Sequence, residues 1–590
     1  MHEDLERTAE SPALSTRVTP VRLEMLDVTG AIDHAERLCG ARVLGDATEN
    51  GDLARAIAEA CSIAERGDRA TVIAPIERMA TMRDALRRAA SARLGLVAHA
   101  IASNGSEDLA ALCDLGWGVL CASGPEDSFD LALVARRAAE DSGVPFIVVH
   151  GLGRATHAAG RAIASVAIPQ DRVVHAFVGP ITRTRQEARS SAGDRAFAER
   201  VPFALGAAFR EYAVVSGRRH DVFDKMPLGE AQIVLVGMGP VGDALVHATS
   251  ELRARGYDVG AVNITSLRPF PGQRLVKTLA RALAITVLEP CDEPLAHGAL
   301  LARDVKSAFT DALTWVPGFP GIGRIPKLFV GACGSAFDVA DLAAVCENML
   351  ADERGRRVFS FTEVEHALPP ATTEPPRGDE RSEREVAVRF VLDDVATAES
   401  VLGTVASALA NGVGLRTQGI ITATTPGAGA VLDVLASRDH ARGGMARRAP
   451  RLVIATERGV ASAGAVVPLP EGAVLGVLGI EPSGALPEAA RTMVRERRAR
   501  VLPLATGDGP KPAAAIAAVA AGAALALASR TSKTALDANA AARLVMESMP
   551  GPDAEAAGQR GRRAFEATRD VLAAAASPAS EPPKGPVGVA

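Results

Sequence analysis

From Ile233 to Pro271 the chain spells out one strand–turn–helix–strand unit, and few folds can accommodate it. Ile233-Val234-Leu235-Val236 is an unbroken apolar run, the mark of a strand covered on both faces. It runs directly into Gly237-Met238-Gly239-Pro240-Val241-Gly242 and then a helical pattern, Ala244-Leu245-Val246-His247-Ala248, that stops at Arg255-Gly256. A second apolar stretch, Val259 to Ile264, ends in Ser266-Leu267-Arg268-Pro269-Phe270-Pro271. Two strands joined through a helix must lie parallel in a sheet with both faces covered, so the chain is predicted to be α/β with several parallel-sheet domains.

The turn Gly237–Gly242 fits G-x-G-x-x-G, which permits a reading as a nicotinamide-binding dehydrogenase. Its glycines would bring helix N–H groups up to a pyrophosphate. The acid that should grip the ribose is missing: the second strand ends Asn263-Ile264-Thr265-Ser266, and Asp258 stands before the strand. An ordinary α/β turn satisfies the same spacing.

Composition excludes several classes. At 590 residues the chain predicts three or four domains. A net charge of −5, with Lys and Arg dispersed, offers no nucleic-acid footprint. No apolar run is expected to reach the roughly 18 residues that span a bilayer; the Ala- and Gly-dominated stretch 512–529 comes nearest and reads as a buried or amphipathic helix. The charged start Met1-His2-Glu3-Asp4-Leu5-Glu6-Arg7 lacks an apolar signal region, so a cytoplasmic protein without a membrane partner is expected. Cysteines at 39, 61, 113, 121, 291, 333 and 346 form no C-x-x-C, which predicts free buried thiols, no metal site and no iron–sulfur cluster within this chain.

Residues 1–20 are polar and expected to be disordered. Over 21–215 helical patterns (Leu53 to Glu65, Met79 to Ala92, Leu131 to Ala139) alternate with short apolar strands (Ala70 to Ala74, Leu94 to Ala98, Gly118 to Ala122, Val144 to His150), giving a first α/β domain. A polar stretch from Ala192 to about Lys225 is expected to connect it to a second domain, 216–366, built on the Ile233 unit. The Pro- and charge-rich 367–385 reads as a linker, 386–545 as a third α/β domain, and 546–590 as a helix followed by a disordered tail.

Several strings, in order, resemble the 2-oxoacid:ferredoxin oxidoreductases, in particular the pyruvate:ferredoxin enzymes. Asp130-Leu131-Ala132-Leu133-Val134-Ala135, Val144-Pro145-Phe146 and Arg154-Ala155-Thr156-His157 are similar to that family's pyrimidine-type domain. Tyr212-Ala213-Val214-Val215-Ser216-Gly217 resembles its connector, and Leu267-Arg268-Pro269-Phe270-Pro271, Val287-Leu288-Glu289 and Phe329-Val330-Gly331-Ala332-Cys333-Gly334 its transketolase C-terminal-like domain. In the third domain, Gly403-Thr404-Val405 resembles the first strand-to-helix turn of the family's γ domain, and Arg442-Gly443-Gly444 its R-G-G loop. The resemblance implies a thiamine pyrimidine-binding-like domain, a transketolase C-terminal-like domain and a γ-type domain. It implies thiamine diphosphate and coenzyme A as cofactors shared with a β-type thiamine-binding subunit and a ferredoxin-type subunit; a homo-oligomer is compatible with it.

Departures from the family limit what carries over. The family's Y-P-I-T-P-S-S segment and activating glutamate have no match. The arginine of its V-A-A-R is Ala100, and the N-K pair of its γ domain is Ala408-Leu409. Gly507-Asp508-Gly509 runs into Pro510, so no thiamine–metal motif is complete. The candidate catalytic residues are Arg154 and His157, which follow a strand's C-terminal end, where such sheets place ligands. Arg268 reads as an ion-pair or phosphate residue, and Gly403, Thr404, Gly443 and Gly444 as coenzyme A contacts. Thr422 to Gly429 is a phosphate cradle or a plain loop. His99 and His150 read as core histidines. The function expected is that of a subunit of a 2-oxoacid oxidoreductase; the alternative is a non-catalytic scaffold of the same fold.

Overall fold

The Ile233 unit forms as its apolar pattern requires. Strand Ile233–Met238 is buried throughout, helix Gly239–Ala254 follows without a gap, and strand Val259–Ile264 returns parallel to the first. The turn's glycines serve packing: a Cβ on Gly242 would stand 2.1 Å from Asn263 Oδ1, and one on Gly237 would stand 3.0 Å from Gly242 Cα. The computed structural model describes residues 22–45, 52–102, 108–151, 161–180, 195, 198–226, 228–229, 231–296, 298–334, 337–351, 354–361, 363–372, 385–423, 429–438, 450–456, 459, 469, 472–478, 488–506, 513–531 and 535–576. The expectations for 1–20, most of the 367–385 linker, the end of the tail, Arg154, His157, Gly443, Gly444 and Gly507-Asp508-Gly509 lie outside the described residues.

Three sheets carry the fold. The first runs Ser266–Arg268, Gly118–Ala122, Phe146–His150, Val97–Ile101, Ala70–Pro75, Arg42–Leu44, parallel except for its antiparallel edge strand Ser266–Arg268. The second runs Val358–Ser360, Lys327–Ala332, Ala284–Glu289, Ile233–Met238, Val259–Ile264, Phe223–Met226, again parallel except for the last. The third is eight-stranded and mixed: Arg22–Asp27, Arg161–Ile168, Arg416–Ala423, Ala430–Ser437, Glu385–Leu392, Leu452–Thr456, Val474–Leu478, Arg500–Leu504. Fully buried strands such as Phe146–His150 lie between covered faces, which is why they read as nearly continuous apolar rather than alternating runs.

The structure redraws four sequence expectations. Strands Arg22–Asp27 and Arg161–Ile168, from the first segment, belong to the sheet of the third; Ala164 stands opposite Gln418 in an antiparallel pair. Strand pairing over some 250 residues leaves no local trace in a sequence. The supposed connector around 192–225 contains the helix Val201–Ser216, whose Leu205, Ala208, Phe209 and Tyr212 bury one face at helical spacing. The expected helix from Met79 to Ala92 is two, Ile76–Thr81 and Arg83–Ser91, broken at Met82. The helix Ala554–Ala576 is no appendage but shares a core with Val395–Val413 and Ala513–Thr531.

Ala513–Arg530 is long and apolar enough to cross a membrane by length and composition, yet 78% of that window is buried. Small residues make this burial feasible. A Cβ on Gly522 would lie 2.1 Å from the carbonyl oxygen of Gly561 on the Ala554–Ala576 helix.

Candidate functional site

In the first sheet the chain reverses its winding where Phe146–His150 inserts between Val97–Ile101 and Gly118–Ala122, the kind of switch at which ligands enter from the strands' C-terminal ends. Past Ala122, Ser123-Gly124 turns into the helix Pro125–Ser142, with Pro125 pre-set for the first helical position and Glu126 and Asp127 in the first turn. This turn meets the other two sheets. Ser123, Glu126, Asp127, Asp243, Arg416 and Gln418 line a cleft there, with Ala164 and Ser165 on its wall and ≈ 450 Å³ of empty space including its open mouth.

Glu126 spans the junction. Its carboxylate accepts from Arg416 Nη1 at 2.9 and 3.0 Å and from the Ala167 backbone N–H at 3.3 Å. Arg218 Nη1 lies 3.8 Å away. Ser123 Oγ donates to the Gly239 carbonyl and accepts from Asn263 Nδ2, both at 3.1 Å, which pins the glycine turn of the second sheet to the end of the first.

Two charged networks lie beneath the cleft. In one, Asp130 accepts from Tyr212 Oη at 2.5 Å and from Arg218 Nε at 2.7 Å, and His220 Nε2 is 2.7 Å away. Burial pushes the Asp130 carboxyl up, but Arg218 and His220 outweigh it and hold it well below the usual carboxylate range. In the other, Glu36 accepts from Arg136 Nη2 at 2.6 Å, with His99 Nε2 at 3.1 Å. His99 Nδ1 lies 3.0 Å from His150 Nε2, and His150 Nδ1 lies 2.8 Å from Ser128 Oγ.

Every member of this second network is fully buried. Burial raises the Glu36 carboxyl, yet Arg136 and His99 bring it below its ordinary value, while burial and then His99 push His150 well below the ordinary imidazole. Glu36 is therefore ionised and His150 neutral. The histidines are satisfied core residues, as their strand positions imply.

Of the sequence-predicted residues that are described, Arg268, Gly403 and Thr404 do not line the cleft. Arg154 and His157 follow the Phe146–His150 strand but lie outside the described residues. Arg268 donates to Asp304 Oδ2 at 2.7 Å and to the Leu267 carbonyl, tying the edge strand of the first sheet to the helix Leu300–Leu313 of the second domain. The ion pair thus lies within the second segment, 216–366, where an inter-domain pair or a phosphate contact was expected.

Gly403 and Thr404 are not at a strand-to-helix turn: the helix Val395–Val413 starts earlier, capped by Asp394, and Thr404 Oγ1 donates to the Ser400 carbonyl one turn back. Sequence reasoning missed Glu36, Ser128, Arg416 and Gln418. Only Asp130, a charge set into the otherwise apolar run Phe129–Ala135, carried a readable signal.

Thiamine diphosphate requires a carboxylate facing its aminopyrimidine and a grip on its diphosphate. Among the described residues, the fully buried carboxylates of the first domain, Glu36 and Asp130, are both committed to arginines, and Ala100 stands buried near the end of its strand. Glu36 and Asp130, buried in these ion pairs, do not fit that role.

Two family models match the chain: "Pyruvate flavodoxin/ferredoxin oxidoreductase, thiamine diP-bdg" over residues 80–218 and "Pyruvate:ferredoxin oxidoreductase core domain II" over residues 231–323. The pyruvate-flavodoxin oxidoreductase of Rhodospirillum rubrum is 27% identical over 245 residues, covering 37% of this chain and 20% of the relative. The pyruvate synthase subunit PorA of Pyrococcus furiosus is 28% identical over 208 residues, covering 32% of this chain and 51% of the relative. The chain thus spans a fifth of one curated relative and half of the other. Among solved structures, the 2-oxoglutarate:ferredoxin oxidoreductase of Magnetococcus marinus aligns with a TM-score of 0.38 and 12% identity, covering 52% of this chain and 62% of that one.

Proposed function

We propose, on the premise that residues 80–218 and 231–323 match models of the pyruvate:ferredoxin/flavodoxin oxidoreductase family, that the chain acts as one subunit of a 2-oxoacid oxidoreductase. In this reading the assembly decarboxylates a 2-oxoacid oxidatively to an acyl-coenzyme A and passes the electrons to ferredoxin or flavodoxin. A β-type partner supplies thiamine diphosphate with its magnesium, and a ferredoxin-type subunit supplies the iron–sulfur clusters. The assembly works in the cytoplasm.

One observation supports the reading most strongly. The two family domains are joined as a unit, because strand Ser266–Arg268, from the second, completes the first domain's sheet beside Gly118–Ala122. The surface so held is what a partner would complete. We assign Arg154 and His157 to the 2-oxoacid carboxylate, since a guanidinium grips a carboxylate through two N–H groups and both residues follow the C-terminal end of a buried strand. The γ-type third domain, through Arg442-Gly443-Gly444, is assigned to coenzyme A.

The test is to copurify partners with a tagged copy and assay 2-oxoacid-dependent, coenzyme A-dependent reduction of ferredoxin. Turnover should appear only with the β-type partner present, and Arg154→Ala should lower it more than Glu77→Ala, which changes an acid in the first turn of the Ile76–Thr81 helix. A complex that forms yet never turns over would instead support the second reading, a non-catalytic scaffold. Ala100 and the committed carboxylates favour that alternative.

A further inference from the structure

We propose that the cleft at the head of the Pro125–Ser142 helix binds a small organic ammonium ion. This site stands apart from the oxidoreductase reading, because it rests on what the cleft itself offers. The strand Arg416–Ala423 supplies the first observation. Side chains alternate along a strand, so Gln418 projects to the same side as Arg416, whose guanidinium crosses to Glu126 at the cleft. Gln418 is 7% exposed and lines the cleft, and its amide oxygen has no hydrogen-bond partner among the described residues. A buried acceptor left in that state is destabilising until a donor reaches it. Opposite it stands Ala164, whose methyl leaves the space open.

The second observation is the balance of donors and acceptors. The hydroxyl of Ser123 donates to the Gly239 carbonyl, that of Ser165 to Met25 Sδ, and the Arg416 guanidinium to Glu126. Asp127 and Asp243 line the cleft beside Gln418, and a carboxylate accepts from several donors at once, so one that is already engaged can still take an N–H. Counting the lining side chains, Glu126, Asp127 and Asp243 against Arg416 leave a formal excess of two negative charges, 3 − 1. Such a lining repels phosphates and carboxylates and suits a compact cation rich in N–H groups.

The probe is putrescine, titrated by calorimetry into the full chain, with 1,4-butanediol and succinate as a neutral and an anionic analogue of similar length. Putrescine should bind, more weakly as salt is raised, and the other two should not. Asp243→Asn, which keeps the shape and removes the charge, should weaken binding about tenfold or more. Ala164→Leu, which fills the space, should abolish it, with folding of both variants checked by circular dichroism. No putrescine binding below about 10 mM, equal binding of the diol or the diacid, or binding unchanged in both folded variants would overturn the assignment.

Discussion

Glu36 and Glu289 are both buried glutamates, and their surroundings drive them in opposite directions. Glu36 has Arg136 and His99 and stays ionised. Glu289, at the end of strand Ala284–Glu289, accepts the backbone N–H groups of Leu301 and Ala302, at 2.8 and 3.0 Å, and has no cation in hydrogen-bond contact among the described residues. Burial outweighs those two bonds and pushes its carboxyl up to about 7 from an ordinary 4.5. Between those values the folded chain holds a proton that the unfolded chain has released, so stability falls as pH rises through the window. A tenfold change in proton affinity corresponds to about 1.4 kcal/mol, so the loss between the two values comes to about 3 kcal/mol. Thermal midpoints over that range should fall for the native chain and flatten for Glu289→Gln; parallel curves would show that Glu289 does not titrate there. For Glu36→Ala, which strands Arg136 in the core, denaturant unfolding should show a loss of about 3–5 kcal/mol. Neither glutamate was legible as special in the sequence. Glu289 closes an apolar strand, but its proton affinity depends on the helix that covers it; Glu36 is one of two acids in the helix Val28–Leu38, and nothing local sets it apart from Asp33.

At the scale of elements, two glycines that look alike in the sequence play different parts. Gly242 faces Asn263 across the Gly239–Ala254 helix and the Val259–Ile264 strand, and any Cβ there collides with a buried amide. Gly403 lies inside the Val395–Val413 helix, and a methyl group in its place would meet nothing within 4 Å. Gly403→Ala should therefore stabilise by about 0.5–1 kcal/mol, as relief of helix-interior glycine does, while Gly242→Ala destabilises by about 1–3 kcal/mol through overpacking. Urea midpoints of the two variants would separate them; movement in the same direction would refute the packing account. Elements with local signals were legible, such as Leu53–Glu65, Gly118–Ala122 and the whole Ile233 unit. Arg161–Ile168 and Ala430–Ser437 were not, because their strand character is completed by partners distant in the chain. The cleft was illegible for the same reason: Ser123, Asp243 and Gln418 meet only once all three sheets are assembled.

For the whole molecule, the segments expected to be independent domains are interleaved: the first lends two strands to the third sheet and receives one from the second domain. We propose that the Pro- and charge-rich stretch 367–385 is a linker, and limited proteolysis should cut first near 371–384; initial cleavage elsewhere would move that boundary. We propose that this chain supplies scaffold and substrate-facing surface but not a complete thiamine site. Calorimetric titration of thiamine diphosphate with magnesium tests it most directly, on the chain alone and on the chain mixed with its copurified β-type partner. The chain alone should show no micromolar binding, whereas the complex should bind the cofactor and turn over a 2-oxoacid. Micromolar binding of thiamine diphosphate by the isolated chain would contradict the claim.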